Sequence, residues 1–339
     1  MKRFSGLLAT FFGAAAILWA GTAPAADNFL EKGMTLVVAS DVGGGYDVYS
    51  RVLQRYYPAH LPGKPHIVVQ NKPGASGMTA TNWAYALAPK DGATILATYS
   101  ALIDQNLLGN KSAQYDVKKF NWIGSISASP LICVTWHTSP YKDVRQMIGK
   151  QITVSATGMT GKGATYPLML NEVLGTQFKV ITGYSTEGTT LALERGEVDA
   201  ICGTGLSTLQ GSQPDWFIEK KINIVAQSGL FPVEELKDVP NVLDLVAAKD
   251  RPVLEYGAIL EAMGRPYLAP PGVPEDRLQV LRAGFDATMK DKAFLAEMDK
   301  LRLAVSPMTA REMEIAIDKL YGYSKETVDR VQRLTSGKS

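Results

Sequence analysis

Short apolar runs alternate along this chain with glycine-rich polar breaks and with stretches of helical period. Leu36 to Ala39 reads as a buried strand, and Tyr49, Val52, Leu53, Tyr56 and Tyr57 recur at helical spacing after it. Between them lies Asp41-Val42-Gly43-Gly44-Gly45-Tyr46-Asp47, a glycine turn with Asp47 placed to cap the helix. His66 to Gln70 alternates as a second strand. Asn71-Lys72-Pro73-Gly74-Ala75-Ser76-Gly77 is a second glycine-rich turn, and Gly77 to Leu87 follows as a helix with Trp83, Ala84 and Leu87 on one face. Ala88-Pro89-Lys90-Asp91-Gly92 breaks it, and Ala93 to Thr98 is a third strand. The order β-α-β-α-β calls for a parallel sheet with right-handed crossovers.

The pattern is looser over residues 115–128. Ile126 to Trp136 then reads as a strand and Tyr141 to Ile148 as a helix. At Ile152 to Thr157 the scheme restarts with a strand, a turn at 158–163 and a helix through Leu174. Strands at Val180 to Gly183 and Val198 to Cys202 flank a helix at Thr190 to Glu194, with turns at 184–188 and 203–205. This second α/β unit resembles the first in kind without a detectable sequence repeat. Asp215 to Val225 and Leu230 to Val246 continue it. Tyr267 to Pro274 is a strand entering a proline-rich corner, and two helices, Glu275 to Lys290 and Ala310 to Leu320 onward, close the chain.

Open α/β sheets bind ligands beyond the carboxyl ends of their strands. Glycines there admit positive φ and close approach, and the free N–H groups of a helix start favour an anion. Two such turns on one edge, Gly43-Gly44 and Gly74 to Gly77, point to an anion cradle, with Tyr99 and Ser100 after the third strand beside them. Thr157, Gly158, Met159, Gly161, Tyr184, Gly203 and Thr204 hold the equivalent places in the second unit and are expected to close the site. Tyr184 offers a flat apolar face and a hydroxyl.

Composition narrows the class. Of 339 residues, 46% are hydrophobic and 20% charged, enough for a core and two lobes. Lys2 and Arg3, the apolar run Leu7 to Leu18 and Ala23-Pro24-Ala25 have the form of a secretory signal cleaved near Ala25. The run is short for a membrane span, and no Cys follows it to carry a lipid. Without residues 1–25, basic and acidic side chains balance at 33 each, which gives no sign of nucleic-acid binding. Cys133 and Cys202 are the two cysteines. Export allows a disulfide between them, but their apolar, strand-like surroundings favour two buried free thiols. No spacing suggests a metal site, and nothing calls for a cofactor.

Catalytic motifs are missing. In Gly74-Ala75-Ser76-Gly77-Met78 the last position of a nucleophile elbow is Met, and Val48 takes the final glycine of a dinucleotide fingerprint counted from Gly43. His60, His66 and His137 are not paired at metal-ligand spacing. The expectation is a binding protein, not an enzyme.

The ordered motifs resemble a known family. Gly43-Gly44-Gly45-Tyr46-Asp47, Asn71 to Gly77, Asp91-Gly92-Ala93-Thr94-Ile95-Leu96, Tyr115-Asp116 before Phe120, Tyr184 with Gly188, Gly196-Glu197-Val198-Asp199 and Ala269 to Pro274 fall in the order found in the solute-binding proteins of tripartite tricarboxylate transporters, the Bug (TctC-like) receptors. The resemblance covers essentially the whole mature chain. It implies a two-lobed α/β fold of the type II periplasmic-binding-protein kind, each lobe a mixed sheet flanked by helices, joined by crossover strands. It places lobe 1 at 26–130 and 262–339 and lobe 2 at 131–261. It implies a periplasmic, monomeric receptor that captures an organic acid in the interlobe cleft and passes it to integral-membrane transporter subunits. One carboxylate would sit on main-chain amides of Gly43, Gly44, Gly74, Ala75, Ser76 and Gly77.

One departure stands out. The family has apolar or small residues before its glycines, whereas this chain has Ser40-Asp41-Val42, and Tyr46 is bulkier than the pattern. If Asp41, Val42 and Tyr46 face the ligand, an amine or an aromatic ring on it is implied; the expectation favours Asp41 turned to solvent in a local turn. The rival readings are a secreted α/β enzyme acting on a carboxylated substrate, with Asp41 as acid or base, and a receptor for a sensor kinase.

Overall fold

A computed structural model describes residues 29–159 and 161–335. The proposed signal segment lies outside them. Eleven strands and eleven helices are described: β1 Met34–Val38, α1 Gly45–Tyr56, β2 Ile67–Asn71, α2 Met78–Ala86, β3 Thr94–Ala97, β4 Asn121–Ser125, β5 Leu131–Trp136, β6 Gln151–Ser155, α3 Lys162–Leu174, β7 Gln177–Ile181, α4 Thr186–Glu194, β8 Ala200–Gly205, α5 Leu206–Ser212, α6 Pro214–Ile218, β9 Ile222–Ser228, α7 Arg251–Ala262, β10 Pro266–Ala269, α8 Glu275–Thr288, α9 Lys292–Lys300, β11 Met308–Thr309, α10 Ala310–Tyr321 and α11 Lys325–Thr335.

The strands form two mixed sheets, ordered β11-β4-β10-β3-β1-β2 and β7-β6-β8-β5-β9. In each, a β-α-β-α-β unit supplies parallel strands with the first in the middle, β2-β1-β3 and β7-β6-β8. Each unit is then extended by an antiparallel strand from elsewhere in the chain, β10 beside β3 and β5 beside β8. The same topology is built twice, as the restarting pattern predicts.

The chain crosses between the sheets twice. The predicted strand Ile126 to Trp136 divides: β4 ends at Ser125, residues 126–130 cross, and β5 begins at Leu131. Pro130 has no N–H to give a ladder. The return runs from β9 through α7 to β10. The two crossings lie side by side, with Ile126 N donating to Arg265 O at 3.2 Å, and Ala128 N donates at 2.6 Å to Ser306 O in the segment before β11.

One buried apolar cluster takes residues from both sheets and from α7, α10 and α11, among them Leu96, Cys133, Val154, Ile259, Ile317 and Val331. Separate clusters cover the outer faces, around Leu36, Leu53 and Phe285 in the first and around Ile132, Leu193 and Trp216 in the second. Arg330 of α11 pairs with Glu172 of α3 at 2.5 Å and with Asp250 at 2.7 Å, tying the last helix to the second unit.

Three expectations change. Tyr141 to Ile148 is a 3-10 turn, Val144–Met147, begun by the Asp143 carboxylate, not a full helix. The chain closes with four helices, because Asp291 caps α9 through Ala293 N and Phe294 N and α11 follows α10. Cys133 and Cys202 are not free thiols: they form a disulfide between paired positions of the neighbouring strands β5 and β8.

Candidate functional site

Turn 1 joins β1 to α1. Gly43 is left-handed at φ 82°, while Gly44, extended at φ −67° and ψ 159°, is the N-cap. Asp47 is therefore not the capping residue; it stands in the first helical turn and reaches back to accept from Gly43 N at 2.8 Å. A glycine gives the cap geometry, and the acid in the first helical turn holds the N–H of the residue before the cap. Asp47 is buried and also accepts from Arg51 Nε at 2.8 Å and Asn71 Nδ2 at 2.9 Å. Asn71 donates to Ser40 O at 3.0 Å as well, so this network clamps turn 1 to the end of β2. Burial pushes the Asp47 carboxyl up, but hydrogen bonds from Arg51, Gly43 and Asn71 outweigh it and hold the group below the usual carboxylate range.

Asp41 and Val42 are exposed at the tip of turn 1. The Asp41 main-chain carbonyl closes the turn, accepting from Gly44 N at 3.2 Å and Ser40 Oγ at 3.2 Å.

Turn 2 joins β2 to α2 through four successive positive-φ residues: Gly74 at 131°, Ala75 at 46°, Ser76 at 52° and Gly77 at 90°. Ala75 and Ser76 are exposed L-residues in the left-handed region, a conformation costing about 1–2 kcal/mol each. Such strain persists where surrounding structure enforces it, and it concentrates at binding sites. Gly77 is required here: a Cβ would lie 2.4 Å from the Tyr99 ring.

Tyr99 and Tyr46 make the wall between the two turns, with ring centroids 4.4 Å apart. Tyr46 OH donates to Gly264 O at 2.8 Å and accepts from Ser100 N at 3.4 Å. Its hydroxyl is thus tied to the second crossing and to the loop after β3, and burial pushes its pKa up despite the Arg265 charge.

In the second unit the turn after β6 matches turn 1. Gly161 is the N-cap of α3 at φ −78° and ψ 156°, close to the values at Gly44, again without a side-chain cap. Thr157, Gly203 and Thr204 line a cavity of about 490 Å3 with Thr186, Thr208 and Gln213. That cavity is lined by second-unit residues alone. Gly158, Met159 and Gly161 sit at its margin in sequence, not in its lining. Gly203 has a packing reason to be glycine: at φ 74° a Cβ there would lie 2.2 Å from Lys162 O. Tyr184 is half-buried against the cluster around Leu193, and Ser185 caps α4 through Gly188 N at 2.9 Å.

Two residues at this edge carry no motif and escaped the sequence reading. Lys162, the first residue of α3, pairs with Glu261 near the end of α7. Desolvation and then the Arg265 charge push its ammonium below the usual lysine range, although the side chain as a whole is more than half exposed, so solvent screens part of that effect. Arg265 packs its guanidinium over Tyr46, 4.7 Å from the ring centroid, and over Tyr49 at 5.0 Å. A lone Arg between Ala262-Met263-Gly264 and Pro266-Tyr267-Leu268 was the available signal: a charge inside an apolar run. Among the described residues no group of three or more His, Cys, Asp or Glu could hold a metal ion, and no helix is long and apolar enough to cross a membrane.

No protein-family model and no curated protein sequence matches the chain. Solved structures do. A TctC solute-binding protein from Polaromonas, solved without ligand, superposes with a TM-score of 0.70 at 17% identity over 88% of this chain and 99% of that one. The periplasmic binding protein BugD gives 0.53 at 20% identity, over 90% and 98%. R. palustris Rpa4515, solved with adipate, gives 0.53 at 16% identity, over 90% and 96%. These neighbours are binding proteins rather than enzymes. The two-lobed α/β fold is theirs, in agreement with the resemblance carried by the ordered motifs.

Proposed function

We propose that this chain, built on the fold of the TctC and Bug solute-binding proteins, is a periplasmic receptor that binds a small organic acid in the cleft between its lobes. The observation that carries the reading is turn 2. Exposed, left-handed Ala75 and Ser76 lie between glycines, next to the start of α2, which no side chain caps. Such a backbone is held in an unfavourable shape and presents amide groups suited to a carboxylate. The lobes, taken as 26–130 with 262–339 and as 131–261, close on the ligand by preferring the closed state. Thr157, Gly203 and Thr204 meet it from the second side. The receptor acts as a monomer after signal cleavage near Ala25 and delivers its ligand to membrane subunits of a tripartite tricarboxylate-type transporter. Support comes from the adipate held by one neighbour of the same fold.

The test is a thermal-shift screen of the mature protein over mono-, di- and tricarboxylates, with titration calorimetry on the hits. Recovery of the bound acid unchanged identifies a receptor, and turnover would point to the enzyme reading. Mass spectrometry of the exported protein should place its N-terminus at Ala26 or Asp27.

A further inference from the structure

Arg265 stands on the second crossing, where the chain returns to the first sheet. Its backbone is fixed to the first crossing: its N–H donates to Ser125 Oγ at 3.0 Å and its carbonyl accepts from Ile126 N at 3.2 Å. Its side chain is half-buried. Nη1 has a weak partner in Gly264 O at 3.4 Å, and Nε is buried with no hydrogen-bond partner. Nη2 lies 3.5 Å from where a Cβ would stand on Gly45, the first residue of α1. Among the described residues no carboxylate pairs with this guanidinium.

A half-buried cation with no counter-ion and a buried, unpartnered Nε is costly, and the two tyrosine faces offset only part of that cost. Glu261, four residues earlier, is engaged by Lys162, the first residue of α3. The Lys162–Glu261 pair thus stands four residues from Arg265 along the chain, and the Arg265 charge adds to the desolvation that lowers the Lys162 ammonium. The positive end of the uncapped helix α1 adjoins Arg265, and Lys162 begins the uncapped helix α3. Arg265 and the positive end of α1 therefore share one spot, and the nearest carboxylate along the chain, Glu261, is already engaged by Lys162.

We infer that Arg265 is the charged anchor of the ligand, and that Lys162 exchanges Glu261 for the ligand's carboxylate as the lobes close. The inference rests on the receptor reading above and deepens it: main-chain turns alone would tolerate a neutral amide, whereas a guanidinium fork selects an ionised carboxylate. Glu261 holds the place of that carboxylate in the empty protein.

The experiment uses the full mature protein with succinate, adipate and citrate as probes, by calorimetry at low and high salt. Arg265→Gln should lose roughly 30-fold or more in affinity for the probe that binds, with Arg265→Lys, which keeps the charge without the fork, recovering part of it. Glu261→Gln, with Arg265 intact, should raise affinity several-fold and steepen its salt dependence, because the internal competitor is gone. If the probes bind wild type and Arg265→Gln binds them equally well, the anchor is overturned and the receptor reading stands. If Arg265→Lys is as weak as Arg265→Gln at unchanged melting temperature, the role is packing and the anchor again falls. Should Arg265→Gln not fold, Glu261→Gln decides: unchanged affinity overturns the exchange. If no probe binds wild type, both readings fall together.

Discussion

The side chains of Asp47 and Asn71 meet at 2.9 Å and join the first turn of α1 to the last residue of β2. The two glycine turns are thereby one mechanical unit, and Asp47 costs more to lose than a simple helix cap. Asp47→Ala removes the buried acceptor shared by Gly43 N, Asn71 Nδ2 and Arg51, donors that water can partly reach, and should lower stability by about 1–2 kcal/mol. Its pKa is depressed in the folded protein, so this stability is present above the unfolded value of 3.8 and is lost as pH falls through the lower folded value. Denaturant melts of Asp47→Ala, Asn71→Ala and the double variant should be non-additive. Simple additivity would deny the coupling.

Ser76 is the opposite case: exposed, strained and facing the open edge. Ser76→Gly should relieve the left-handed strain and gain up to about 1 kcal/mol of stability. Ser76→Ala should leave melting unchanged and weaken binding of the acid found by screening. Unaltered affinity in Ser76→Ala would remove the hydroxyl from the site.

Asp104 lies 5% exposed, with Tyr256 OH donating to it at 3.1 Å. Burial pushes its pKa up to about 6, against the hydrogen bonds from Tyr256 and Gln105. Between the unfolded value of 3.8 and about 6 the native state holds the extra proton, so this group's contribution to stability falls as pH rises through that window. Asp104→Asn should remove that slope and be more stable than wild type at pH 7, by something on the order of 2–3 kcal/mol. Urea midpoints at pH 4, 5, 6 and 7 check it, and parallel curves for the two proteins would count against it.

The Cys133–Cys202 bridge closes a separation of 69 residues inside the second sheet. Reduction, or Cys133→Ala with Cys202→Ala, should cost about 2–4 kcal/mol. Melting with and without reductant measures this, and equal midpoints would mean the bridge is absent from the purified protein.

Local period carried much of the fold. Both β-α-β-α-β units, with Gly44 and Gly161 at matching helix starts, follow from spacing and glycine placement. α7 was unread because Val253, Tyr256, Ala258, Ile259 and Ala262 bury several of its faces, which erases the amphipathic stripe. The disulfide depended on strand register, which sets Cys133 opposite Cys202 and which no nearby residue encodes. Arg265 escaped for a related reason. Its meaning lies in Tyr46, Gly45 and Lys162, all far away in sequence.

The late return of β10 and β11 to the first sheet has a consequence for the order in which the molecule can form. All five strands of the second sheet come from one continuous stretch, 131–228. The first sheet needs β10 between β3 and β4, so it cannot be completed before residue 269 is available. β1, β2 and β3, although synthesised first, must wait with one edge open while the later lobe closes around its own contacts. Long-range pairing of this kind slows folding and leaves an edge exposed to other chains. Pulse-labelled hydrogen exchange during refolding should therefore protect β5 to β9 ahead of β3 and β4, the reverse of the direction in which the chain is made.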